Sequence, residues 1–230
     1  LAKKQVQVAG RTLVTTEDGS HSIFAPQFNE HYHSIHGAIQ ESDHIFIDNG
    51  LKEALKSKSN ISIFEMGFGT GLNAFLTLIF ALNHSIEIRY SAIEAFPVEG
   101  EMLKRLNYAE IMKANCPKDY FAQIHSVPWE KWNRIIDNFQ IKRHYTSLLD
   151  YQPGENYDLV YFDAFAPDAQ PELWTADVFK TIFDSMNSGG ILVTYCCKGD
   201  VKRNLKSSGF TIEKLPGPPG KREILRARKV

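Results

Sequence analysis

Three cysteines in 230 residues, Cys116, Cys196 and Cys197, are too few to staple a chain of this length, and such scarcity fits reducing surroundings and a cytoplasmic location. No segment holds the roughly 18 uninterrupted apolar residues of a membrane span, and Leu1–Gly10 lacks an apolar run of signal-peptide length. An excess of charge is missing too. Lys and Arg number 26 against 27 Asp and Glu, for a net −1, which excludes chain-wide attraction to nucleic acid or anionic membrane. Repeats and low-complexity tracts are absent. What is present, 43% hydrophobic and 23% charged residues, suits one or two globular domains with a sizeable core.

Residues 1–58 read differently from the rest. Alternation at Val6-Gln7-Val8, Thr12-Leu13-Val14 and Ile45-Phe46-Ile47, with a turn at Asp18-Gly19, predicts short strands, and a helix is expected over 50–58. We therefore expect a small β-containing extension over 1–58, packed on a domain spanning 59–230. From Asn60 onward apolar strands alternate with helical stretches. Strands are expected at 61–65, 86–93, 141–147, 158–163, 190–197, 210–215 and 222–227, and helices at 72–82, 98–108, 172–186 and 200–207. Residues 109–138 read as helical or irregular, broken by Pro117 and Pro128. The last two strands are joined by Pro216-Gly-Pro-Pro-Gly220, too short for a parallel crossover, so they should pair antiparallel. A mostly parallel seven-stranded sheet with one antiparallel strand is the outline of the class I methyltransferase variant of the Rossmann-like, doubly wound fold.

Between the first strand and first helix of that domain lies Glu65-Met-Gly67-Phe-Gly69-Thr-Gly71, a turn that lets a ligand approach the backbone closely. A dinucleotide fingerprint would need glycine at 72, where Leu72 stands, and no Gly-Lys-Ser/Thr phosphate loop follows. An acid two residues ahead of the glycines suits the ammonium and sulfonium of S-adenosyl-L-methionine better than a pyrophosphate. Glu94 ends the next strand at about the 20-residue offset from which an acid reaches a ribose diol. Asn73 either caps the following helix or contacts the cofactor. For adenine, Ser147 and Asp150 compete at the third strand's exit, and Asp150 ranks first because a carboxylate accepts from the exocyclic amine.

Asp158-Leu-Val-Tyr-Phe-Asp163 delivers Asp163 to the carboxyl edge of the sheet, followed by Ala164-Phe165-Ala166-Pro167. An acid beside an aromatic and a proline resembles the Asp/Asn-Pro-Pro-aromatic sequence of amino-group methyltransferases, which implies methyl transfer to an amine, with Asp163 taking the amine proton or holding it by a hydrogen bond and Phe165 packing on the substrate. Asp163 serving only as a local loop cap is the competing reading.

Glu65–Asn73, Phe162-Asp163-Ala-Phe165-Ala-Pro167, Pro171-Glu-Leu-Trp174-Thr175, Gly220-Lys221-Arg222-Glu223 and Glu41–Ile47 together resemble the MnmC-like methyltransferase domain family. The resemblance implies that Glu65, Gly67, Gly69 and Gly71 hold S-adenosyl-L-methionine, that Glu94 takes its ribose, and that Asp163 acts beside an aminomethyl group of a tRNA wobble uridine. Thr146-Ser147 stands where the family usually has Gly-Asp. Because 230 residues leave no room for the flavin-dependent oxidase of bifunctional members, a stand-alone methyltransferase is expected. A small-molecule amine methyltransferase of the same fold, or a non-catalytic RNA-binding or cofactor-sensing domain, are the rival readings.

From Lys198 to Val230 ten basic residues face three acidic ones, either a patch for tRNA phosphates or a solvated edge. Lys221 and Arg222, beside the Gly-Pro-Pro-Gly loop, are expected at the rim of the site with Phe165 and Pro167, as substrate contacts. His31-Tyr32-His33-Ser-Ile-His36 has no zinc-ligand spacing, so no metal is expected; the segment should fold over the pocket with Tyr32 or His33 near the ligand. Cys196-Cys197 reads as a buried reduced pair rather than a nucleophile.

Overall fold

The computed structural model describes residues 10–98, 100–113, 116 and 119–230; the strand expected at Val6–Val8 and the break at Pro117 lie outside them. The described residues begin with a three-stranded antiparallel sheet, β1 Thr12–Thr15, β2 His21–Ala25 and β3 Glu30–His31. Helix α1 Ala38–Ser42 runs on through a π-helix at Asp43–Leu51 into α2 Lys52–Ala54. There follow β4 Asn60–Met66, α3 Leu72–Asn83, β5 Glu87–Glu94, α4 Gly100–Lys104, α5 Tyr108–Ile111, α6 Tyr120–Ser126, β6 Asn133–Ile136 and β7 Phe139–Tyr145. Next come β8 Tyr157–Phe162, a 3-10 turn at Pro171–Trp174, α7 Ala176–Asp184, β9 Met186–Thr194, α8 Gly199–Ser207, β10 Thr211–Pro216 and β11 Glu223–Arg228.

Among the described residues the main sheet has eight strands in the order β10-β11-β9-β8-β4-β5-β7-β6. β7, β5, β4, β8 and β9 run parallel, and β11 lies antiparallel between β9 and β10, as the short Pro-Gly connection requires. The class I methyltransferase outline is therefore present. The eighth strand, β6, was not expected. It pairs antiparallel with β7, and the turn residues Asp137-Asn138 between Ile136 and Phe139 are the hairpin signal that a helical reading of 109–138 passed over.

Alternation along β4 sorts its side chains between two cores. Ile61 and Ile63 pack with Phe75 and Leu78 of α3 and with Phe46 and Leu51 of the π-helix. Phe64 and Met66 face Val160, Phe162, Phe179 and Leu205. Ile45-Phe46-Ile47, expected as a strand, belongs to the π-helix; all three are buried on the sheet, and a short apolar run cannot by itself separate strand from buried helix. Gly50 allows the close approach, since a Cβ there would lie 3.0 Å from Val193. The helix expected over 98–108 is broken because Asn107 turns aside: its Oδ1 accepts from the His21 N–H at 2.9 Å and its Nδ2 donates to Gly19 O at 2.9 Å. The stretch 172–186 likewise divides into the 3-10 turn and α7, whose N-terminus is capped by Thr175 accepting from the Val178 N–H.

These bonds pin the amino-terminal layer over the carboxyl ends of the parallel strands. Arg11 donates to the carbonyls of Pro97 and Phe96 at 2.8 and 2.5 Å, and the Tyr108 hydroxyl donates to His21 O at 2.6 Å. No helix among the described residues is long and apolar enough to cross a membrane.

Candidate functional site

A cavity of about 560 Å³ opens where the carboxyl ends of β4, β5, β7 and β8 meet the amino-terminal layer, within the size range of small-molecule sites and at the edge where open α/β sheets bind ligands. One wall is built from strand ends. Gly67 and Gly69 line it with φ of 90° and 52°, in the left-handed region that favours glycine. A Cβ on Gly67 would stand 2.8 Å from Asp163 O, and one on Gly71 2.5 Å from the His125 ring. Gly71 itself does not line the cavity; it supplies the αL turn that starts α3.

Glu94 lies buried on this wall, its Oε2 accepting from the Gly69 N–H and its Oε1 from the Phe96 N–H, both at 2.7 Å. Burial raises its pKa against those two donors and the Arg11 charge. The carboxylate is thus fixed in orientation while each oxygen keeps a lone pair for a ligand hydroxyl. Asp163 accepts from Asn73 Nδ2 at 2.8 Å through Oδ2, leaving Oδ1 for another donor. Burial, reinforced by the Glu41 charge, pushes the Asp163 pKa up to about 7.

The facing wall is aromatic and comes from distant segments. Phe28 stacks on Phe165 at 4.6 Å, Tyr32 meets Phe165 edge-on at 5.0 Å, and Phe96 meets Phe28 at 5.8 Å. His33, whose pKa burial lowers to about 4, is hydrogen-bonded to Thr70 Oγ1 at 2.6 Å. Glu41 closes the end of this wall: its Oε2 accepts from the Ser34 N–H at 2.7 Å and its Oε1 pairs with Lys221 Nζ at 2.5 Å.

Asp163, Asn73, Gly67, Gly69, Glu94, Phe165 and Lys221 are therefore brought to one cavity, with Tyr32 and His33 above the glycine turn. Five placements differ from expectation, that of Gly71 among them. Glu65 is fully buried beneath the turn rather than in the cavity, because alternation along β4 turns it toward α3. Asp150, ranked first for adenine, is exposed on a separate hollow, whereas Ser147 lines the main cavity; β7 ends at Tyr145, so residue 147 is the one nearer the strand exit. Pro167 and Arg222 sit outside the lining.

The carboxy-terminal charge is also spent differently from expectation. Lys198 pairs with Asp168, Arg203 with Asp200, Lys214 with Glu223, Arg226 with Glu213, and Arg228 with Glu53. Lys229 donates to the carbonyls of Phe183 and Met186. Three of the partners, Asp168, Glu53 and Glu41, come from outside the segment, so much of its positive excess is neutralised internally.

Glu41, Phe28 and Phe96 were missed by sequence reasoning. Phe96 stands two residues past Glu94, a spacing that could have flagged it; Glu41 opens a segment that carries the family resemblance, which could have flagged it too, and nothing local marks Phe28. Among the described residues no cluster of three or more His, Cys, Asp or Glu is arranged as metal ligands.

Residues 138–230 match a family described as S-adenosyl-L-methionine-dependent methyltransferase. The chain is 30% identical, over 95% of its length, to the tRNA 5-methylaminomethyl-2-thiouridine biosynthesis bifunctional protein MnmC of Burkholderia thailandensis, and 30% identical over 88% to that of Magnetococcus marinus. It spans about a third of those relatives, 35% and 32% respectively. The crystal structure of MnmC2 from Aquifex aeolicus superposes with a TM-score of 0.74 at 25% identity, covering 98% of this chain and 72% of that one. Spermidine synthase of Thermotoga maritima, with a TM-score of 0.53 at 10% identity over 96% of this chain and 72% of its own, shares the fold.

Proposed function

As the chain belongs to the MnmC-like S-adenosyl-L-methionine-dependent methyltransferases, we propose that it methylates the aminomethyl nitrogen of a modified wobble uridine in tRNA, converting 5-aminomethyl-2-thiouridine to 5-methylaminomethyl-2-thiouridine. The carrying observation is Asp163: a carboxyl inside the cavity, one oxygen held by Asn73, in a lining that also holds Phe28, Phe96 and Phe165.

The cavity fits the cofactor. Its volume, the fixed Glu94 carboxylate and the close-approach glycines match a ligand with a ribose diol and an amino-acid end. Glu94 would hold the diol, Gly67, Gly69 and Asn73 the amino-acid end, and Ser147 the adenine side. When bound, S-adenosyl-L-methionine supplies an electrophilic methyl on its sulfonium.

The chain's own residues prepare the nucleophile. A primary amine arrives as an ammonium and must lose one proton before its lone pair can attack. Asp163 Oδ1 accepts that proton and so leaves the nitrogen lone pair free to attack the methyl that the bound cofactor would supply. Phe28, Phe165 and Tyr32 exclude water and stack the uracil, the way single-stranded bases are commonly held. Residues 1–58 act as the layer that completes this pocket, and Lys202, Lys206 and Arg222 are the bases of the carboxy-terminal segment left for phosphates. A tRNA substrate assigns the work to the cytoplasm.

The test is methyl incorporation from labelled cofactor into tRNA bearing the bare aminomethyl nucleoside, with putrescine and spermidine as competing acceptors. We expect label in the tRNA wobble nucleoside alone. Label in the polyamines but not in tRNA would overturn the substrate assignment, and label in neither would favour a non-catalytic domain.

A further inference from the structure

Glu65 has no part in the chemistry just described, yet it lies directly beneath it. It is fully buried, does not line the cavity, and lies among Tyr90, Asn73, Asp163 and Glu94, with no cation among the groups that act on it most strongly. Four buried polar atoms in this cluster lack a partner of full hydrogen-bonding geometry: both carboxyl oxygens of Glu65, Asn73 Oδ1 and the Tyr90 hydroxyl. Orphaned buried groups are costly, so their grouping demands an account.

Counting donors supplies it. Asn73 Nδ2 already donates to Asp163 Oδ2, which leaves Asn73 Oδ1 as an acceptor. An ionised Glu65 would add acceptors only, and the single Tyr90 O–H would face them all. One proton on Glu65 resolves the set: its O–H donates to Asn73 Oδ1 while its other oxygen accepts from Tyr90. We propose that Glu65 is a neutral carboxylic acid whose hydrogen bond to Asn73 Oδ1 locks the Asn73 amide with Nδ2 aimed at Asp163, making Glu65 a positioning residue for the base. Burial acts in the same direction, raising the Glu65 pKa well above the usual carboxylate range.

The arrangement explains how Asp163 keeps its orientation. Without a donor on its far side, the Asn73 amide is free to flip and present its oxygen to Asp163, acceptor against acceptor. The consequence for catalysis rests on the function proposed above; the protonation state of Glu65 does not.

Two measurements separate these. Infrared difference spectra of wild type against Glu65→Gln at about pH 8.5, where Asp163 is ionised, should show a protonated-carboxyl carbonyl band in the wild type that the variant lacks. In methyl transfer, Glu65→Leu should lower kcat about ten-fold or more, and Glu65→Gln, which retains both a donor and an acceptor, should restore most of that loss. Absence of the band, or a ten-fold weaker cofactor Kd in Glu65→Gln, would mean a charged cofactor anchor and overturn the proposal. If Glu65→Leu does not fold, Tyr90→Phe replaces it, with a smaller kcat loss expected and an unchanged kcat counting against the relay. A wild type that binds cofactor and shows the band but methylates no tRNA would sink the substrate assignment and leave the neutral Glu65 standing.

Discussion

The two walls of the cavity are built on opposite plans. The strand-end wall is local: the Gly67–Gly71 turn, Glu94 and Asp163 each follow directly from a β-strand, and their polar atoms are held by backbone N–H groups or by one neighbouring amide. The facing wall is assembled from segments far apart in sequence, Phe28 against Phe165 and Glu41 against Lys221. A strand tip positions one carboxyl rigidly whatever surrounds it, and suits a cofactor whose shape never changes. An aromatic surface made by docking a separate layer can be altered without disturbing that wall, and suits a substrate. If the division is real, substitutions on the two walls should separate cofactor binding from substrate binding.

Asp163 stands where the walls meet, and its loss should have the largest effect. Asp163→Asn keeps the shape and a bond to Asn73 but cannot take a proton, so kcat should fall by about 10²–10⁴-fold, with cofactor Kd by calorimetry changed less than about three-fold. In the wild type, the base form appears as pH rises through about 7, so kcat should climb across that value and then level. Stability runs the other way. A carboxyl whose folded pKa is raised contributes stability that is present below the ordinary carboxylate value and lost as pH rises through about 7. At pH 8 the Asn variant should therefore melt higher than wild type, by roughly 3–6 °C for a chain of this size. A variant that loses turnover and cofactor binding together would erase the distinction between the walls.

Glu94 tests the strand-end wall alone. Glu94→Ala removes a carboxylate proposed to accept two ribose hydroxyls, and charge-assisted bonds of about 1.5–3 kcal/mol translate into a cofactor Kd weakened about 10- to 150-fold. Because Glu94 also holds the N–H groups of Gly69 and Phe96, Glu94→Gln serves as the companion that keeps the side chain's shape. Saturating cofactor should recover most of the turnover in either variant. Failure to recover would assign Glu94 to the reaction itself.

The same division marks what could be read in the sequence. The parallel sheet, its antiparallel closing strand and the residues at its tips were legible because strand, glycine turn and acid are contiguous. Even there, alternation decided what motif reading could not: Glu65 and Met66 are neighbours on β4, yet Glu65 faces α3 and only Met66 lines the cavity. The docked wall was nearly illegible, since nothing near Glu41 tells that Lys221 will reach it, 180 residues later. Ile45–Ile47 failed for a related reason: an apolar run buried on every side carries no period, and the packing that distinguishes it, Phe46 on Tyr161, comes from a strand far along the chain.

Phe28 should give the smallest effect and the sharpest test of the docked wall. It follows β2 in a short turn, partly exposed, and its ring stacks on Phe165 at 4.6 Å with an interplanar angle of 30°. Phe28→Ala leaves Glu94, Asp163 and the glycine turn untouched, so cofactor Kd should not move. Aromatic pairs contribute about 0.5–1.5 kcal/mol beyond their buried area, so KM for tRNA should rise roughly two- to ten-fold, with kcat at saturating tRNA nearly preserved. Phe165→Ala should behave alike, and the double variant should cost less than the two effects combined, because each single change already breaks the same stack. Strict additivity would mean that the two rings meet the substrate separately and that the stacked wall is not a unit.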